Sequence, residues 1–426
     1  MKKIYSTSII IALATICQSV IAQTWSASGN LNNRTNVFIE YNGMFYAGGL
    51  FTQADANSAN YIAKWNGTAW TSLTTGTDDR VNALATYSNE LYVAGDFQNA
   101  GGSPASRMAK WDGTTWSAVG TNTNILGPAH ALCVYNNELY AAGSAAGSNP
   151  SSLCKWNGSS WSLVQSFDDR VEALAVHNNS LIVAGRFLMA GAASATRIVS
   201  YNGSTWNNLD LGFNNNVYSL AVHNNELYVG GSFSSSGSTM LANIAKYNGT
   251  SWVAVGTGTD GWVLNLKVYN GRLYACGTFM NAGGNSAKYV ASWDGAAWNP
   301  LSSGTNNNVF SLGVYNGDLY AGGTFTLAGA TTVTNVAKWN EAAPNSLFEL
   351  NGNKIGFSVY PNPAENFFLI HTKFSEEFSL TNSLGQTVET FTVDGTKEVS
   401  LTNYAEGIYF LRNGRSGEAK KLIVKK

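Results

Sequence analysis

Apolar and polar residues alternate over short stretches along most of the chain, and one such stretch recurs. Its clearest copy reads VNALATYSNELYVAGDF, from Val81 to Phe97. A period of two predicts β-strands rather than helices. Similar stretches recur about every 45 residues, and this spacing is the length of one four-stranded blade of a β-propeller. They begin at Val37, Val81, Ala129, Val171, Val217, Val263 and Val309. The seven copies predict seven blades.

Each copy divides into four predicted strands, which we name a to d. Strand a is the Val-x-Ala-Leu stretch, and a tight turn such as Asn270-Gly271 separates it from strand b, as in Leu-Tyr-Val-Ala-Gly. A variable loop of small residues leads to strand c, typically Ala-Lys-Trp, and a second Asn-Gly turn leads to strand d. Strand d opens with tryptophan in six copies, at Trp70, Trp116, Trp161, Trp206, Trp252 and Trp298.

The seventh copy lacks a strand d, and the missing piece stands at the other end of the sequence. The last copy stops at Trp339-Asn340-Glu341, whereas Trp25-Ser26-Ala27 precedes the first strand a. Because an open ring leaves backbone groups unpaired at its seam, we expect the N-terminal segment to complete the seventh blade. The predicted fold class is all-β: a seven-bladed β-propeller over residues 23–341, closed by an N-terminal strand and followed by a small C-terminal β-sandwich.

The first 22 residues have the pattern of a secretory signal peptide. Lys2 and Lys3 precede the apolar run Ile9–Ile16, and Ala22 offers a small residue before a cut ahead of Gln23. No later apolar segment is long enough to span a membrane, so we expect no transmembrane segment. Residues 342–353 are interpreted as a linker.

The C-terminal 70 or so residues have a different texture, with six or seven short predicted strands. Their motifs are Tyr360-Pro361-Asn362-Pro363, Gly385-Gln386, Gly407-Ile408-Tyr409 and the ending Lys420-Lys421-Leu422-Ile423-Val424-Lys425-Lys426. Residues 354–426 closely resemble the type A C-terminal sorting domain of the type IX (Por) secretion system. The resemblance implies a Bacteroidota-type host, Sec export, the type IX machinery as a partner, and a final place in the medium or on the outer-membrane surface. The propeller copies resemble, more weakly, kelch-like repeats and the propeller of fungal cortical polarity markers. These resemblances do not indicate a ligand.

Composition removes some classes of partner. Only 12% of residues are charged and the formal net charge is −1, so no basic field is available for nucleic acid. After signal removal three cysteines remain, Cys133, Cys154 and Cys276, at positions that hold small apolar residues in other copies. We therefore expect three free, buried thiols. We also expect a monomer.

The polar segments before strand a are the candidate ligand site. By strand direction they share one face with the variable loops between strands b and c, at the mouth of the central channel. The alternative is that their Asp and Asn side chains simply cap turns. The predicted ligand-binding residues are Asp78, Asp79, Arg80, Asp168, Asp169, Arg170, Asn215, Asp260, Trp262 and Asn307.

The sequence contains no recognisable catalytic or metal-binding pattern. His177 and His223 occupy the strand a slot that holds tyrosine in the other copies, which predicts packing. We expect a non-catalytic surface or extracellular binding or adhesion propeller for a polysaccharide or a protein. One alternative is a carbohydrate-active enzyme, a hydrolase or lyase, with carboxylates such as Asp78, Asp168 and Asp260 at the channel mouth. Another is a structural surface-layer role. No cofactor is expected, and a dependence on Ca²⁺ stays open.

Overall fold

The computed structural model describes residues 23–120, 127–143, 151–341, 357–360, 364, 366–372, 375–382, 386–414 and 419–425, and these are built from strands and turns. The chain divides into two compact units, with the boundary after residue 342. The predicted signal peptide (1–22) and linker (342–353) lie outside the described residues. In the described part of the chain, no helix has the length and apolar character needed to cross a membrane.

The described residues of the first unit form seven antiparallel sheets, the blades, each with four strands in the order a-b-c-d. The sheet of blade 3 also includes the two short strands of the b–c hairpin of blade 4. Strand a is Thr35–Tyr41, Val81–Tyr87, Ala129–Tyr135, Val171–His177, Val217–His223, Val263–Tyr269 and Val309–Tyr315 in blades 1 to 7. Strand b is Met44–Gly49, Glu90–Gly95, Glu138–Gly143, Ser180–Gly185, Glu226–Gly231, Arg272–Gly277 and Asp318–Gly323. Strand c is Ile62–Trp65, Met108–Trp111, Ser151–Trp156, Ile198–Tyr201, Ile244–Tyr247, Val290–Trp293 and Val336–Asn340. Strand d is Trp70–Ser72, Trp116–Ala118, Trp161–Phe167, Trp206–Asn208, Trp252–Ala254, Trp298–Pro300 and, in blade 7, Thr24–Ala27.

The seven sheets form a closed ring. Strand a of each blade contacts strand a of both neighbouring blades, including blade 7 with blade 1, so these strands surround a central channel. At the seam, the N-terminal strand pairs antiparallel with strand c of blade 7, with Trp25 opposite Trp339. The two indole rings lie 5.0 Å apart between centroids. The predicted seven-bladed propeller closed by an N-terminal strand is confirmed.

The strand d tryptophans join neighbouring blades. The indole N–H of Trp70, which is fully buried, donates to the carbonyl of Ser28 in the blade before it, at 2.7 Å. Trp25, in strand d of blade 7, makes the same bond to Leu301 of blade 6, at 3.1 Å. The remaining indole-to-carbonyl pairs are Trp116–Leu73, Trp161–Val119, Trp252–Leu209 and Trp298–Val255. Because these six indoles are anchored in the preceding blade, much of the hydrophobic core lies between blades rather than within them.

A second set of bonds, which we call the latches, joins the blades at the end of strand a. The last side chain of strand a donates to a backbone carbonyl in the a–b turn of the following blade. In blade 4, His177 takes the place of tyrosine, and its Nε2 lies 3.0 Å from the backbone carbonyl oxygen of Asn225. This contact agrees with the packing role predicted for His177. The tyrosine latches are Tyr41–Asn89, Tyr87–Asn137, Tyr135–Asn179, Tyr269–Gly317 and Tyr315–Gly43.

The first repeat begins two residues earlier than the sequence pattern predicts. Thr35, not Val37, pairs with the final glycine of strand b, as Val81 does in blade 2. In each blade the register shifts just after this first residue, so one extra residue bulges from strand a. Thr35 stands where other copies have valine or alanine. The sequence pattern therefore places the start of the repeat at the nearest valine, Val37.

The loops between strands b and c are more regular than predicted. Each b–c loop that is described over its full length contains a short hairpin, with two strands of two residues each. The paired segments are Gln53–Ala54 with Asn57–Ser58, Asn99–Ala100 with Ser103–Pro104, Met189–Ala190 with Ala193–Ser194, Ser235–Ser236 with Thr239–Met240, Asn281–Ala282 with Asn285–Ser286, and Leu327–Ala328 with Thr331–Thr332. Short side chains and glycines at the tips permit these tight returns.

None of the three cysteines in the described part of the chain forms a disulfide. Cys154 and Cys276 are buried, as expected, and burial raises the pKa of the Cys154 thiol to about 12. Cys133 is only half-buried, which corrects the expectation of three buried thiols. It lies on strand a, which borders the channel, so part of its surface reaches solvent there. Burial still raises the pKa of Cys133 to about 11.

The second unit is a two-sheet β structure with its own core. One sheet contains Ser358–Tyr360, Phe367–His371 and Thr396–Ser400. The other contains Thr387–Val393, Glu376–Asn382, Gly407–Asn413 and Ala419–Val424. Buried aromatic and aliphatic residues, such as Phe368, Phe378 and Leu411, fill the space between them. This arrangement agrees with the predicted small β-sandwich.

Candidate functional site

The two ends of each blade differ. One end, the turn face, carries the tight a–b and c–d turns. The other end, the loop face, carries the b–c hairpins and the connections from strand d to the next strand a. The two sets of loops meet, as in the isolated bridge between Thr77 and Ala100. The candidate site is the centre of the loop face, where the channel opens.

In blades 1, 2 and 4 to 7, the residue three positions before strand a holds a b–c loop in place, and we call this contact the clamp. One side-chain oxygen of Asp78 accepts the backbone N–H groups of Gln98 and Asn99, at 2.7 and 2.9 Å. Equivalent clamps are made by Asn32, Asp168, Asn214, Asp260 and Asn306. Asp78, Asp168 and Asp260 are also predicted ligand-binding residues, and one carboxylate oxygen of each is engaged by the loop backbone.

The residue two positions before strand a caps its own turn. Asp79 accepts the backbone N–H of Arg80 at 2.6 Å, and Asp169 accepts that of Arg170 at the same distance. Asn215 and Asn307 do the same for the residues after them, at 2.8 Å. These four predicted ligand residues are exposed on the loop face. The turn-capping alternative describes the contacts that they make.

Three positions in each blade line the channel mouth: the residue before strand a, the second residue of strand a, and the residue after strand b. We call them the mouth positions, and their side chains are only partly buried. In the order of blades, the residues before strand a are Arg34, Arg80, Pro128, Arg170, Asn216, Trp262 and Asn308. The second residues are Asn36, Asn82, His130, Glu172, Tyr218, Leu264 and Phe310. The described residues after strand b are Leu50, Asp96, Arg186, Ser232, Thr278 and Thr324.

Charged residues of blades 2 and 4 occupy one side of the mouth. Arg80 forms an ion pair with Asp96. Glu172 accepts a hydrogen bond from Nε of Arg186 at 2.6 Å, while Nη1 of Arg170 lies 3.8 Å from the same carboxylate oxygen. One carboxylate therefore serves two guanidinium groups, and Arg170 is beyond hydrogen-bonding distance of it.

Basic groups converge on His130 in blade 3. Burial is the main cause that lowers the pKa of this imidazole to about 3, and the positive charge of Arg170 is the next cause. Arg80 and Arg186 also lower it, while Asp96 raises it. His130 is therefore neutral at physiological pH and adds a polar but uncharged group to the mouth.

Arg34 of blade 1 differs from the other arginines of the mouth. Its Nε donates to Asn36 at 2.6 Å and its guanidinium carbon lies 4.0 Å from the Phe310 ring centroid. Among the described residues it forms no ion pair. Burial lowers the pKa of Arg34, and repulsion by Arg80 lowers it further. The group stays charged at neutral pH because an arginine pKa starts so high.

Aromatic residues of blades 5 to 7 occupy the other side of the mouth. The rings of Tyr218 and Trp262 lie 6.1 Å apart, and Arg186 stacks over Tyr218 at 5.8 Å. Trp262 is 52% exposed, whereas the other twelve tryptophans are buried or half-buried in blade packing. Phe310 with Arg34 above it completes the arc.

The turn face has a smaller feature between blades 5 and 6. His223 ends strand a of blade 5, but its ring contacts Asn224 at 3.3 Å rather than the carbonyl of Gly271 that a latch would use. A cleft of about 160 Å³ lies there. His223, Glu226, Lys246 and Asp294 supply its polar groups. Throughout the described part of the chain, no three His, Cys, Asp or Glu side chains converge as metal ligands.

Sequence reasoning found Arg80, Arg170 and Trp262 but missed several mouth residues. The missed residues are Arg34, Asn82, Asp96, His130, Glu172, Arg186, Tyr218 and Phe310. A signal did exist: these positions differ between copies while their neighbours repeat. It was hidden because the second position of strand a lies inside the Val-x-Ala pattern that defines the repeat.

Comparisons with known proteins identify the C-terminal unit. Residues 358–425 match the family "Secretion system C-terminal sorting domain". No curated protein matches the chain. Among solved structures, the designed protein Ika8 is similar over 94% of this chain and all of its own, with 13% identity and a TM-score of 0.42. The β-propeller domain of the Trilobed protease from Pyrococcus furiosus covers 73% of this chain and 95% of its own, with 11% identity and a TM-score of 0.45.

The sorting domain determines where the protein works. A type IX sorting domain directs its carrier to the cell surface or the medium, so the predicted localisation and the type IX machinery as a handling partner are confirmed. The two structural similarities are too low to carry any inference on ligand or activity. The residues of the loop face are therefore the basis for assigning a function.

Proposed function

We propose that the protein is a non-catalytic binding module that displays its loop face outside the cell, where the channel mouth recognises an extracellular polymer or protein. The observation that carries this proposal is the variation at the mouth positions within an otherwise repeated scaffold. Clamps, latches and strand d tryptophans recur around the ring, but the mouth positions change from one blade to the next. Rigid scaffolds that hold variable surface residues are typical of binding sites.

The composition of the mouth supports binding. Arg34, Arg170 and Arg186 offer planar donor groups, Glu172 offers an acceptor, and Trp262 offers an exposed ring. Aromatic and arginine side chains are the residue types that contribute most to recognition surfaces. Together they surround the channel mouth, beside loops that the clamps hold in place.

The enzyme alternative receives less support from the same contacts. Asp78, Asp168 and Asp260 are the carboxylates that such an enzyme would use, and each accepts two backbone N–H groups from a b–c loop. These bonds outweigh the burial that would raise the pKa of Asp78 and Asp260, and they lower it instead. A general acid needs a raised pKa, so Asp78 and Asp260 are poorly suited to that role.

The proposal is tested by offering the purified chain a panel of extracellular polysaccharides and surface proteins and measuring both binding and product release. The double variant Trp262→Ala, Tyr218→Ala should bind its ligand at least tenfold more weakly. Val134→Ala with Val176→Ala, which trims exposed apolar side chains on strand a, is the matched control and should bind normally. Undiminished binding by the aromatic double variant would refute the assignment of the mouth, and release of shortened products would show an enzyme.

A further inference from the structure

The channel mouth contains an aromatic arc with a guanidinium group stacked at each end. Tyr218, Trp262 and Phe310 come from three consecutive blades, 5, 6 and 7. Arg186 stacks on Tyr218 at 5.8 Å at one end, and Arg34 stacks on Phe310 at 4.0 Å at the other. The arc therefore presents flat apolar faces and cationic donors to the same ligand.

The aromatic part fits a sugar ring. Trp262 is 52% exposed, and its backbone is fixed because its N–H donates to Thr278 Oγ1 at 3.1 Å and its carbonyl accepts the Thr278 N–H at 3.0 Å. A rigid aromatic face carries negative potential, so it attracts the C–H groups on the flat side of a pyranose. The polar groups around it, such as Asn216 and Ser232, can exchange their bonds to the Tyr218 hydroxyl, both 3.4 Å long, for bonds to sugar hydroxyls.

The cationic part fits an acidic group on that sugar. Arg34 has no carboxylate partner among the described residues, and its Nη groups are not needed for the bond to Asn36. A half-buried guanidinium without a counter-ion is costly, and a bidentate carboxylate or sulfate would satisfy it. Glu172 neutralises only one of the two guanidinium groups beside it.

A second cation lies deeper in the ring. Lys267 is on strand a of blade 6, three residues beyond the mouth position Leu264, which corresponds to about 10 Å along the strand. It is half-buried, no described residue pairs with it, and burial lowers the pKa of its ammonium group. The corresponding side chains of the other blades are uncharged: Ile39, Ala85, Cys133, Ala175, Ala221 and Gly313. A lone lysine at this place gives the channel wall a positive charge below the mouth.

We infer that the ligand of the loop face is an acidic polysaccharide, with a sugar ring on the Trp262 arc and a carboxylate or sulfate on Arg34. This inference rests on the proposed binding function and names its ligand class. Recognition is local rather than long-range, because the net charge of the whole chain is −1 and the carboxylates of Asp79 and Asp169 stand at the rim. Only an anion placed beside Arg34 can form a direct ion pair with its guanidinium.

The experiment compares matched polymers. The purified chain is offered a uronic-acid polymer, its carboxyl-reduced neutral form, a sulfated glycan, its desulfated form, and polyglutamate as an acidic polymer without sugar rings. The acidic glycan that binds should do so at least tenfold more tightly than its neutral form, and the two pairs distinguish a carboxylate from a sulfate. Added salt should weaken this binding.

Two variants locate the charge. Arg34→Gln should reduce the affinity for the acidic glycan to that for the neutral form, and Arg34→Lys, which keeps the charge but not the fork, should give an intermediate loss. Lys267→Met should cause a smaller loss. The matched control is Arg272→Gln, which should leave binding unchanged. Arg272 stands at the start of strand b of blade 6, on the turn face, and its guanidinium lies 3.8 Å from Glu341. Thermal unfolding of each variant separates lost binding from lost folding.

The outcomes distinguish this inference from the proposed function. Equal binding of acidic and neutral forms, with loss in the Trp262 variant, would overturn the acidic ligand but keep the binding module. Equal binding of polyglutamate and acidic glycan would overturn the sugar ligand. Failure to bind any acidic polymer would also overturn the inference, whereas the proposed function would fail only if the wider panel gave no ligand whose binding depends on the mouth.

Discussion

The turn face and the loop face of the propeller use the same repeated sequence to different ends. At the turn face, the same latch joins one blade to the next in six of the seven places. At the loop face, the clamp is equally regular, but the mouth positions beside it differ from blade to blade. Both faces are built on the same strands, so the fold does not require this difference.

The comparison gives a way to separate structural from functional residues in a single repeat protein. A residue that recurs at the same place and makes the same bond in each blade is explained by packing. A residue that differs between blades, at a place where neighbours are constant, is free of that constraint. Five predictions test this separation through changes in stability.

The largest expected effect is on a strand d tryptophan. Trp70→Ala removes a fully buried indole and its bond to Ser28, so the free energy of unfolding should fall by roughly 3–5 kcal/mol. Denaturant unfolding followed by far-UV circular dichroism measures the change. A loss below about 1 kcal/mol would mean that the inter-blade core does not depend on this residue.

The clamp should give the next largest effect. Asp78→Ala leaves the N–H groups of Gln98 and Asn99 without their acceptor, and we expect a loss of about 1–3 kcal/mol. Asp78→Asn is the matched control, because Asn32, Asn214 and Asn306 make the same clamp with an amide oxygen, and it should be close to neutral at pH 7. If both variants lost the same stability, the carboxylate would have a role beyond the clamp.

The clamp also predicts a dependence on pH. Burial raises the pKa of Asp78, but the bonds from Asn99 and Gln98 outweigh it, so the pKa lies below its usual 3.8. The unfolded chain then binds a proton more readily than the native one. This contribution to stability is present above the unfolded pKa and is lost as the pH falls through the lower, native value. Asp78→Asn should remove that part of the acid sensitivity, which unfolding curves at pH 7 and below pH 4 would show.

A smaller effect is expected at the latch that is missing. His223→Tyr should place a hydroxyl near the carbonyl of Gly271 and complete the set, raising the free energy of unfolding by about 0.5–1.5 kcal/mol. His177→Tyr, which exchanges one working latch for another, is the control and should change little. If His223→Tyr destabilised the protein instead, the cleft between blades 5 and 6 would not accommodate a tyrosine latch.

The smallest effect on stability is expected at the mouth. Trp262→Ala removes the same atoms as Trp70→Ala, but from a ring that is half exposed, so the free energy of unfolding should change by no more than about 0.5 kcal/mol. The same unfolding measurement compares the two variants directly. A loss similar to that of Trp70→Ala would assign Trp262 to packing and contradict the division between the two faces.

The fold could be predicted from sequence because its main interactions are repeated. Seven copies establish a blade, and the segments around Trp25 and Trp339 complement each other in a way that a closed ring explains. The register of the first copy could not be found in the same way. Thr35 departs from the pattern, and the bulge after it lets Val37 match the wrong position. A bulge changes which residue faces which side without changing the composition of the strand.

The candidate site was only partly predictable, for a physical reason. Asp78, Asp168 and Asp260 stood out as charged residues in loops, but a sequence does not show that loop N–H groups 20 residues later use their oxygens. The stacking of Arg34 on Phe310 joins the first blade to the last, so nothing in the local sequence connects them.

The seam between the first and last strands has a consequence for the order of events during folding. Strand d of blade 7 is the first segment of the ring in the chain, and its partner, strand c, is the last. Every other blade can assemble from residues that are close together in sequence. The ring as a whole can close only once its final strand is present, so the finished propeller forms as one late step.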